Sequence, residues 1–319
     1  MVYAGIDLGG TFIKAGIVTG EGKILGESSI PTGVGRPFDE IAHDMVLGIM
    51  EALKKASVDQ KDLAAVGVGI PGIADQKTGR VVFCPNLGWR DEPLRDEIQK
   101  YLNLPVYIDN DATVAGLAES FSGVSRGCSS SVFITLGTGV GAGIIINGKP
   151  WSGAHGVGGE LGHMTLLADG VPCTCGNNGC VERYCSATDL ARMGRQAAMA
   201  YPDSRILEMA GGSVEKVDAR AVIDAAKAGD SVALKVFDKY TYYLALTINN
   251  VTAFLDPEMV VLGGGVSHAG PFLLEAVRNW LPRFLLYKSL PSPRVELARL
   301  GNEAGTVGAA ALARVNTAE

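Results

Sequence analysis

No stretch of the chain approaches the about 18–20 consecutive apolar residues needed to span a bilayer; its longest apolar runs are strand-length. The N-terminus opens directly into a strand pattern, without the basic segment and apolar core of a secretory signal, so a cytoplasmic protein with no membrane partner is expected. Basic charge is not in excess: 28 Lys and Arg face 34 Asp and Glu, a formal net charge of −6, which argues against a nucleic-acid partner. There is no linker, low-complexity segment or block of like charge. Disulfides are not expected either. Of six cysteines, three crowd one loop and the others, Cys84, Cys128 and Cys185, are scattered; reduced thiols fit a cytosolic protein. What the chain does have is apolar material, 47% of 319 residues, and 42 glycines in clusters. That length suggests about two domains, and the glycines suggest many close backbone approaches.

The densest chemistry lies between residues 158 and 182. Gly158-Gly159-Glu160-Leu161-Gly162-His163 precedes Cys173-Thr174-Cys175-Gly176-Asn177-Asn178-Gly179-Cys180-Val181-Glu182. Thiolate and imidazole are the ligands Zn2+ prefers, and four of them close a tetrahedral shell. The Cys-x-Cys-x4-Cys spacing with a nearby histidine points to a metal site; the bland alternative is packed thiols in a loop. A closed site of this kind is usually structural. The flanking Glu160 and Glu182 then matter for where the loop holds them.

The remaining pattern alternates strands and helices. Strands are expected at 2–7, 12–18, 23–30, 65–70, 81–83, 106–108, 131–136, 144–146, 259–262 and 294–297. Helices are expected at 37–56, 93–102, 112–121, from the 186–189 capping box to about 200, and at 218–228, 230–255, 271–286 and 305–315. His43, on the first helix, reads as a surface residue. Leu8-Gly9-Gly10-Thr11, with Lys14 nearby, has uncovered backbone N–H groups and a hydroxyl, a composition that cradles phosphate or simply closes a hairpin. Asp109-Asn110-Asp111 stands at a strand-to-helix switch, where α/β proteins place sites and where Asn and Asp also serve as caps. Leu136-Gly137-Thr138-Gly139 echoes the first turn about 130 residues later, suggesting two domains of similar plan whose turns grip a polyphosphate. Gly263-Gly264-Gly265-Val266 makes room for a flat or anionic ligand, or is a tight connection.

Together, Asp7-x-Gly9-Gly10-Thr11-x-x-Lys14, Asn110-Asp111-Ala112, Leu136-Gly137-Thr138-Gly139-x-Gly141 and the 158–182 loop resemble the ROK family of repressors and sugar kinases. Within it they are most similar to the bacterial ATP-dependent glucokinases. The likeness runs nearly end to end, through Gly263-Gly264-Gly265 to Ala304-Gly305-x-x-Gly308-Ala309-Ala310. The loop motif is specific to the family; the phosphate motifs are shared with the wider actin-like superfamily.

The resemblance implies a two-lobed ribonuclease-H-like (actin-like ATPase) α/β fold with a cleft between lobes. The small lobe would be 1–112 plus 303–319, the large lobe 113–302 with the zinc loop. It implies ATP-dependent phosphorylation of glucose at the 6-hydroxyl with Asp111 as general base. Gly72, Asn86, Asn110, Asp111, Glu160, His163 and Glu182 would bind the sugar. Asp7, Gly9, Gly10, Thr11, Lys14, Gly137, Thr138 and Gly139 would serve ATP phosphates and Mg2+, with Gly264 and Gly265 near the adenosine. His163, Cys173, Cys175 and Cys180 would hold one structural Zn2+. Homodimers or homotetramers are common in the family. Kinases for fructose, mannose or N-acetylmannosamine keep nearly all these motifs, and polyphosphate is a possible second donor. A non-catalytic sugar sensor or repressor is the alternative from another class. Family repressors carry an extra DNA-binding segment before the kinase-like body; here the first phosphate strand begins at Val2, and Asp7, Lys14 and Asp111 are intact.

Overall fold

In the computed structural model, which describes residues 1–317, the chain runs β1 Val2–Leu8, β2 Phe12–Thr19, β3 Ile24–Pro31, α1 Phe38–Ala56, β4 Leu63–Ile70, β5 Ile73–Asp75, β6 Arg80–Cys84, β7 Trp89–Glu92, α2 Leu94–Gln99, β8 Val106–Asn110 and α3 Asp111–Phe121. It continues with β9 Ser130–Leu136, β10 Val140–Ile146, β11 Lys149–Pro150, α4 Glu182–Cys185, α5 Ala187–Ala200, α6 Arg205–Met209, α7 Ala219–Lys227, α8 Ser231–Leu255, β12 Met259–Gly263, α9 Pro271–Trp280, β13 Arg294–Leu297 and α10 Ala304–Thr317. Residues 318 and 319, the end of the expected small lobe, lie outside the described residues.

Contacts divide the chain into two compact units. The first holds Met1–Phe133, Gly143–Gly159 and the chain from Arg299; the second holds Ile134–Ala142 and Glu160–Ala298. One sheet has the order β3-β2-β1-β4-β8 and another β11-β10-β9-β12-β13. In both, a central strand has its hairpin successor on one side and later strands on the other. This is the repeat that the two glycine turns suggested. In the first unit, β1, β2 and β3 pair antiparallel, whereas β1–β4 and β4–β8 are parallel. A small antiparallel sheet, β5-β6-β7, completes it.

The first core is built from the inward residues of these strands and one stripe of α1. Ile6, Ile13, Ile17, Ile41, Met45, Ile49, Val68 and Ile108 are buried together, the stripe falling at the spacing of an amphipathic helix. The Ala-rich α10 lies against β1, β4 and α3. It comes so close that a Cβ on Gly67 would overlap the Ala309 carbonyl, so only glycine fits there.

Four expectations differ from the structure. The helix expected to 286 ends at Trp280 and passes into a short 3-10 turn, Leu281–Arg283, because Pro282 has no N–H to continue it. The helix expected at 93–102 shrinks to Leu94–Gln99. The strand expected at 144–146 begins already at Val140: Gly143 is strand rather than turn, and a Cβ on it would meet the Ala112 carbonyl at 2.6 Å. His43 is half-buried, its ring 4.7 Å from that of Tyr101. Among the described residues no helix is long and apolar enough to cross a membrane.

Candidate active site

The parallel strands β1, β4 and β8 of the first unit run in register, Asp7 beside Gly69 and Gly69 beside Asp109. Their C-terminal ends therefore share one sheet edge, where open α/β sheets bind ligands. Asp7 pairs across the β1–β2 hairpin with Lys14. Burial raises its carboxyl above the ordinary range and the Lys14 charge opposes that rise. Gly305 leaves room for it, since any side chain there would overlap the Asp7 carboxylate. The turn that follows is braced by Gly9 N–H to the Phe12 carbonyl at 2.9 Å. The Thr32 hydroxyl donates to the Gly9 carbonyl at 2.7 Å, and Thr32 N–H donates to the Thr11 carbonyl at 2.9 Å. Gly10 and Thr11 are exposed.

Asn110 ends β8 and caps α3. Its Oδ1 accepts from Ala112 N–H at 2.9 Å and Thr113 N–H at 3.3 Å, and its Nδ2 donates to the Gly72 carbonyl at 3.1 Å. The capping role is thus real, and it locks the Pro71-Gly72 turn beside the helix start. Only one of the two amide N–H groups is used by that bond. Asp111 is exposed at the first position of α3, its Oδ1 accepting from Ala112 N–H at 2.8 Å; a helix N-terminus favours a negative charge there. Asn86 is exposed in the turn between β6 and β7. Just before that turn, Cys84 ends β6, and its thiol is pushed up, first by burial and also by the charge of Asp111.

Asp109 belongs to the Asp109-Asn110-Asp111 motif but has no role of its own in the sequence reading. It is 3% exposed. Its carboxylate accepts from Asn110 N–H at 2.8 Å, from Gln76 Nε2, and from the Ser152 hydroxyl at 3.5 Å. Burial pushes its pKa up to about 6, against the lowering effect of those three donors. It therefore joins the helix start that carries Asn110 and Asp111 to two loops. The signal was present: a carboxylate at an inward position of a strand, between Ile108 and a cap.

In the second unit, the Gly137–Gly139 turn closes on itself through Gly137 N–H to the Gly139 carbonyl at 3.0 Å. Gly264, at φ +80°, lies against Leu136, where a Cβ would meet backbone at 2.6 Å. Thr138 and Gly265 line one cavity of about 680 Å³. Its wall is apolar at Ala191, Ile223 and Val266, and polar at Thr188, Asp218 and Lys227. The size and mixed lining suit a nucleoside.

His163, Cys173, Cys175 and Cys180 bring one nitrogen and three sulfurs within 4.8 Å of one another. Cys173 Sγ is 3.8 Å from His163 Nδ1, and Cys175 Sγ is 3.6 Å from Cys180 Sγ. A tetrahedral zinc with its usual bond lengths separates such ligands by about 3.6–3.8 Å, so the donor set fits the metal in kind and spacing. The loop is folded for it: Cys173 N–H donates to the Asn177 carbonyl at 2.8 Å and Gly176 N–H to the Cys173 carbonyl at 3.1 Å. Gly179 has φ +70° and sits on the Leu167 carbonyl, where no side chain fits. Burial, with the neighbouring thiols, pushes Cys180 up to about 12, whereas the Asn177 N–H holds Cys175 below its ordinary value. The raised Cys180 thiol resists becoming a thiolate unless a cation joins it. With Nδ1 turned to the sulfurs, His163 has Nε2 left for a second partner. Glu160 is exposed just before the 3-10 turn that carries His163. Glu182 is two residues past Cys180, and its Oε2 accepts from Val140 N–H at 3.0 Å.

The ROK family model matches residues 3–316. A glucokinase of Halalkalibacterium halodurans is 37% identical over 308 residues, covering 96% of this chain and 93% of the relative. A putative xylose repressor of Caldicellulosiruptor sp. is 31% identical over 97% of this chain and 77% of its own. The crystal structure of a ROK family glucokinase from Streptomyces griseus in complex with glucose and AMPPNP matches at TM-score 0.83 and 36% identity, over 99% of this chain and 100% of that one. The α/β fold is accordingly the ribonuclease-H-like one that the phosphate motifs implied. The chain belongs to the ROK family.

Proposed function

We propose that the protein phosphorylates the 6-hydroxyl of glucose with ATP. The observation that carries this reading is the sheet edge of the first unit. There a half-buried carboxylate, Asp7, a glycine turn and an exposed helix-start carboxylate, Asp111, stand at the C-terminal ends of the parallel strands β1 and β8, on either side of β4. The likeness to glucokinases, one of them solved with glucose and AMPPNP, supports ATP as donor and a hexose as acceptor.

Asp111 takes the proton of the 6-hydroxyl as the sugar oxygen bonds to the γ-phosphorus and the bond to the β-phosphate oxygen breaks, releasing ADP. A carboxylate suffices because the proton leaves as the new P–O bond forms. Gly72, Asn86, Asn110, Glu160, His163 and Glu182 hold the sugar; fixed amide, carboxylate and imidazole groups suit hydroxyls that both donate and accept. The Gly9–Thr11 and Gly137–Gly139 turns hold phosphates through backbone N–H groups, with Lys14 near the first. Gly264 and Gly265 border the adenosine. Asp7, half-buried and paired across the hairpin with Lys14, would hold Mg2+; that ion supplies charge neutralisation on the phosphates. His163, Cys173, Cys175 and Cys180 would hold one Zn2+, which supplies folding energy rather than chemistry. Thiolate ligands of this kind persist in a reducing cytoplasm.

A coupled assay over glucose, fructose, mannose and N-acetylmannosamine, with ATP or polyphosphate, tests the reading. Glucose with ATP is expected to give the highest kcat/KM. Preference for another hexose would move the substrate, and absence of turnover with every pair would favour a sugar-responsive regulator of the kind named among the relatives.

A further inference from the structure

The Cys/His loop and the Gly137–Gly139 turn meet around one residue, Val140. On one side is Gly162, the neighbour of His163, packed so tightly on the Val140 carbonyl that any side chain there would overlap it. On the other side is Glu182, two residues past Cys180, whose Oε2 accepts the Val140 N–H at 3.0 Å. The same carboxylate oxygen occupies the space a Cβ on Gly139 would need. Two further bonds come from the segment just beyond. Ala187 N–H donates to the Gly137 carbonyl at 2.8 Å, and the Thr188 hydroxyl donates to the Thr138 carbonyl at 2.8 Å. Every carbonyl from Gly137 to Val140 is therefore bonded or covered by another residue, since the Gly139 carbonyl accepts from Gly137 N–H. Most of those contacts belong to residues 162–188.

We infer that the Cys/His cluster is a clamp on the nucleotide turn, with Glu182 as the positioning residue that transmits it. His163 and Cys180 stand at opposite ends of the loop, and joining them through one ion fixes Gly162 and Glu182 on opposite sides of Val140. Metal at the cluster then pre-forms the turn, and a phosphate on the turn holds the clamp shut. Linkage makes the effect reciprocal: whatever factor the metal adds to nucleotide affinity, nucleotide adds to metal affinity. This goes beyond a sugar contact for Glu182, because it ties the metal to the donor as well as the acceptor. It rests on the proposal that the Gly137–Gly139 turn holds nucleotide phosphate.

The test uses the zinc-loaded protein and follows zinc extraction by a chelator, with a metallochromic dye as readout. ADP binding is measured separately by calorimetry. Saturating ADP is expected to slow extraction at least tenfold. Binding of ADP with extraction unchanged within twofold overturns the clamp; no binding of ADP overturns the phosphate assignment on which it rests. Three variants test the clamp without nucleotide. Gly139→Ala forces Glu182 off the turn and is expected to speed extraction at least tenfold. Glu182→Ala should do the same, whereas Glu182→Gln keeps an acceptor for Val140 N–H and should retain zinc like the parent. Equal extraction from all four proteins, or equal loss in Glu182→Ala and Glu182→Gln, contradicts the assignment of Glu182.

Discussion

The two glycine–threonine turns follow buried strands of the same sheet position and have nearly the same composition, yet they are held by different means. Gly9–Thr11 is a hairpin braced by its own sheet, through Phe12 and through Thr32, just past β3. Gly137–Gly139 is braced from residues 162–188, the segment that carries the Cys/His cluster. A turn supported by its own sheet keeps its shape as long as the core is intact. A turn supported by a loop keeps its shape only while the loop does. On the proposed reading, the same phosphate chemistry rests on a permanent support in one unit and on a removable one in the other.

The largest expected effect lies outside both turns, which on the proposed reading position rather than react. Asp111→Asn should lower kcat by about 10²–10⁴-fold while calorimetry still detects hexose binding. Turnover within tenfold of the parent would remove Asp111 as the base and return the chemistry to the turns. Cys175→Ser comes next. It should abolish stoichiometric zinc, lower the melting temperature and weaken ADP binding. A metal-free variant that melts and binds ADP like the parent would make the two supports equivalent.

Asp109 sharpens the first unit's side of the comparison. Its pKa is pushed up to about 6 in the folded chain from the ordinary aspartate value of 3.8, chiefly by burial. Between those values the folded chain holds a proton that the unfolded chain has lost, so stability falls as pH rises through that window. Asp109→Asn removes this term. In urea titrations the variant should gain on the parent by up to about 3 kcal/mol from pH 4 to 6, and parallel curves would show that the buried carboxylate is not strained by burial. The smallest effect is that of Thr32→Val, which deletes the hydroxyl bond to the Gly9 carbonyl. A stability loss of about 1 kcal/mol and a raised KM for ATP, with zinc extraction unchanged, are expected. Faster zinc loss in this variant would blur the distinction between the two turns.

Much of this was legible in the sequence. The strand that precedes each turn, the α1 stripe at Ile41, Met45 and Ile49, and the four metal-type ligands could be read from period and spacing alone, since each depends on residue type at short range. Other features depend on contacts across tens or hundreds of residues. Asn110 could be read as a site residue or a cap, and the structure gives it a cap and a bond to Gly72 together. Asp109 looked like one of three polar residues in a row until Gln76 and Ser152 stood beside it. Gly143 of β10 resembled a loop residue because its reason for being glycine, the approach of α3 at Ala112, is distant in the chain. Compactness groups α3 with the first unit through the α10 contact, which no local pattern carries. Glu182 was legible as a flanking acid but not as a partner of Val140, 42 residues earlier.

The most direct measurement of the contrast between the turns is residue-resolved amide exchange with and without zinc. Gly9 N–H, bonded to the Phe12 carbonyl, and Val140 N–H, bonded to Glu182, report on the two supports. The account predicts that removing the metal collapses protection at Val140 and leaves Gly9 protected. Equal change at both amides, or protection at Val140 that survives metal removal, would contradict it.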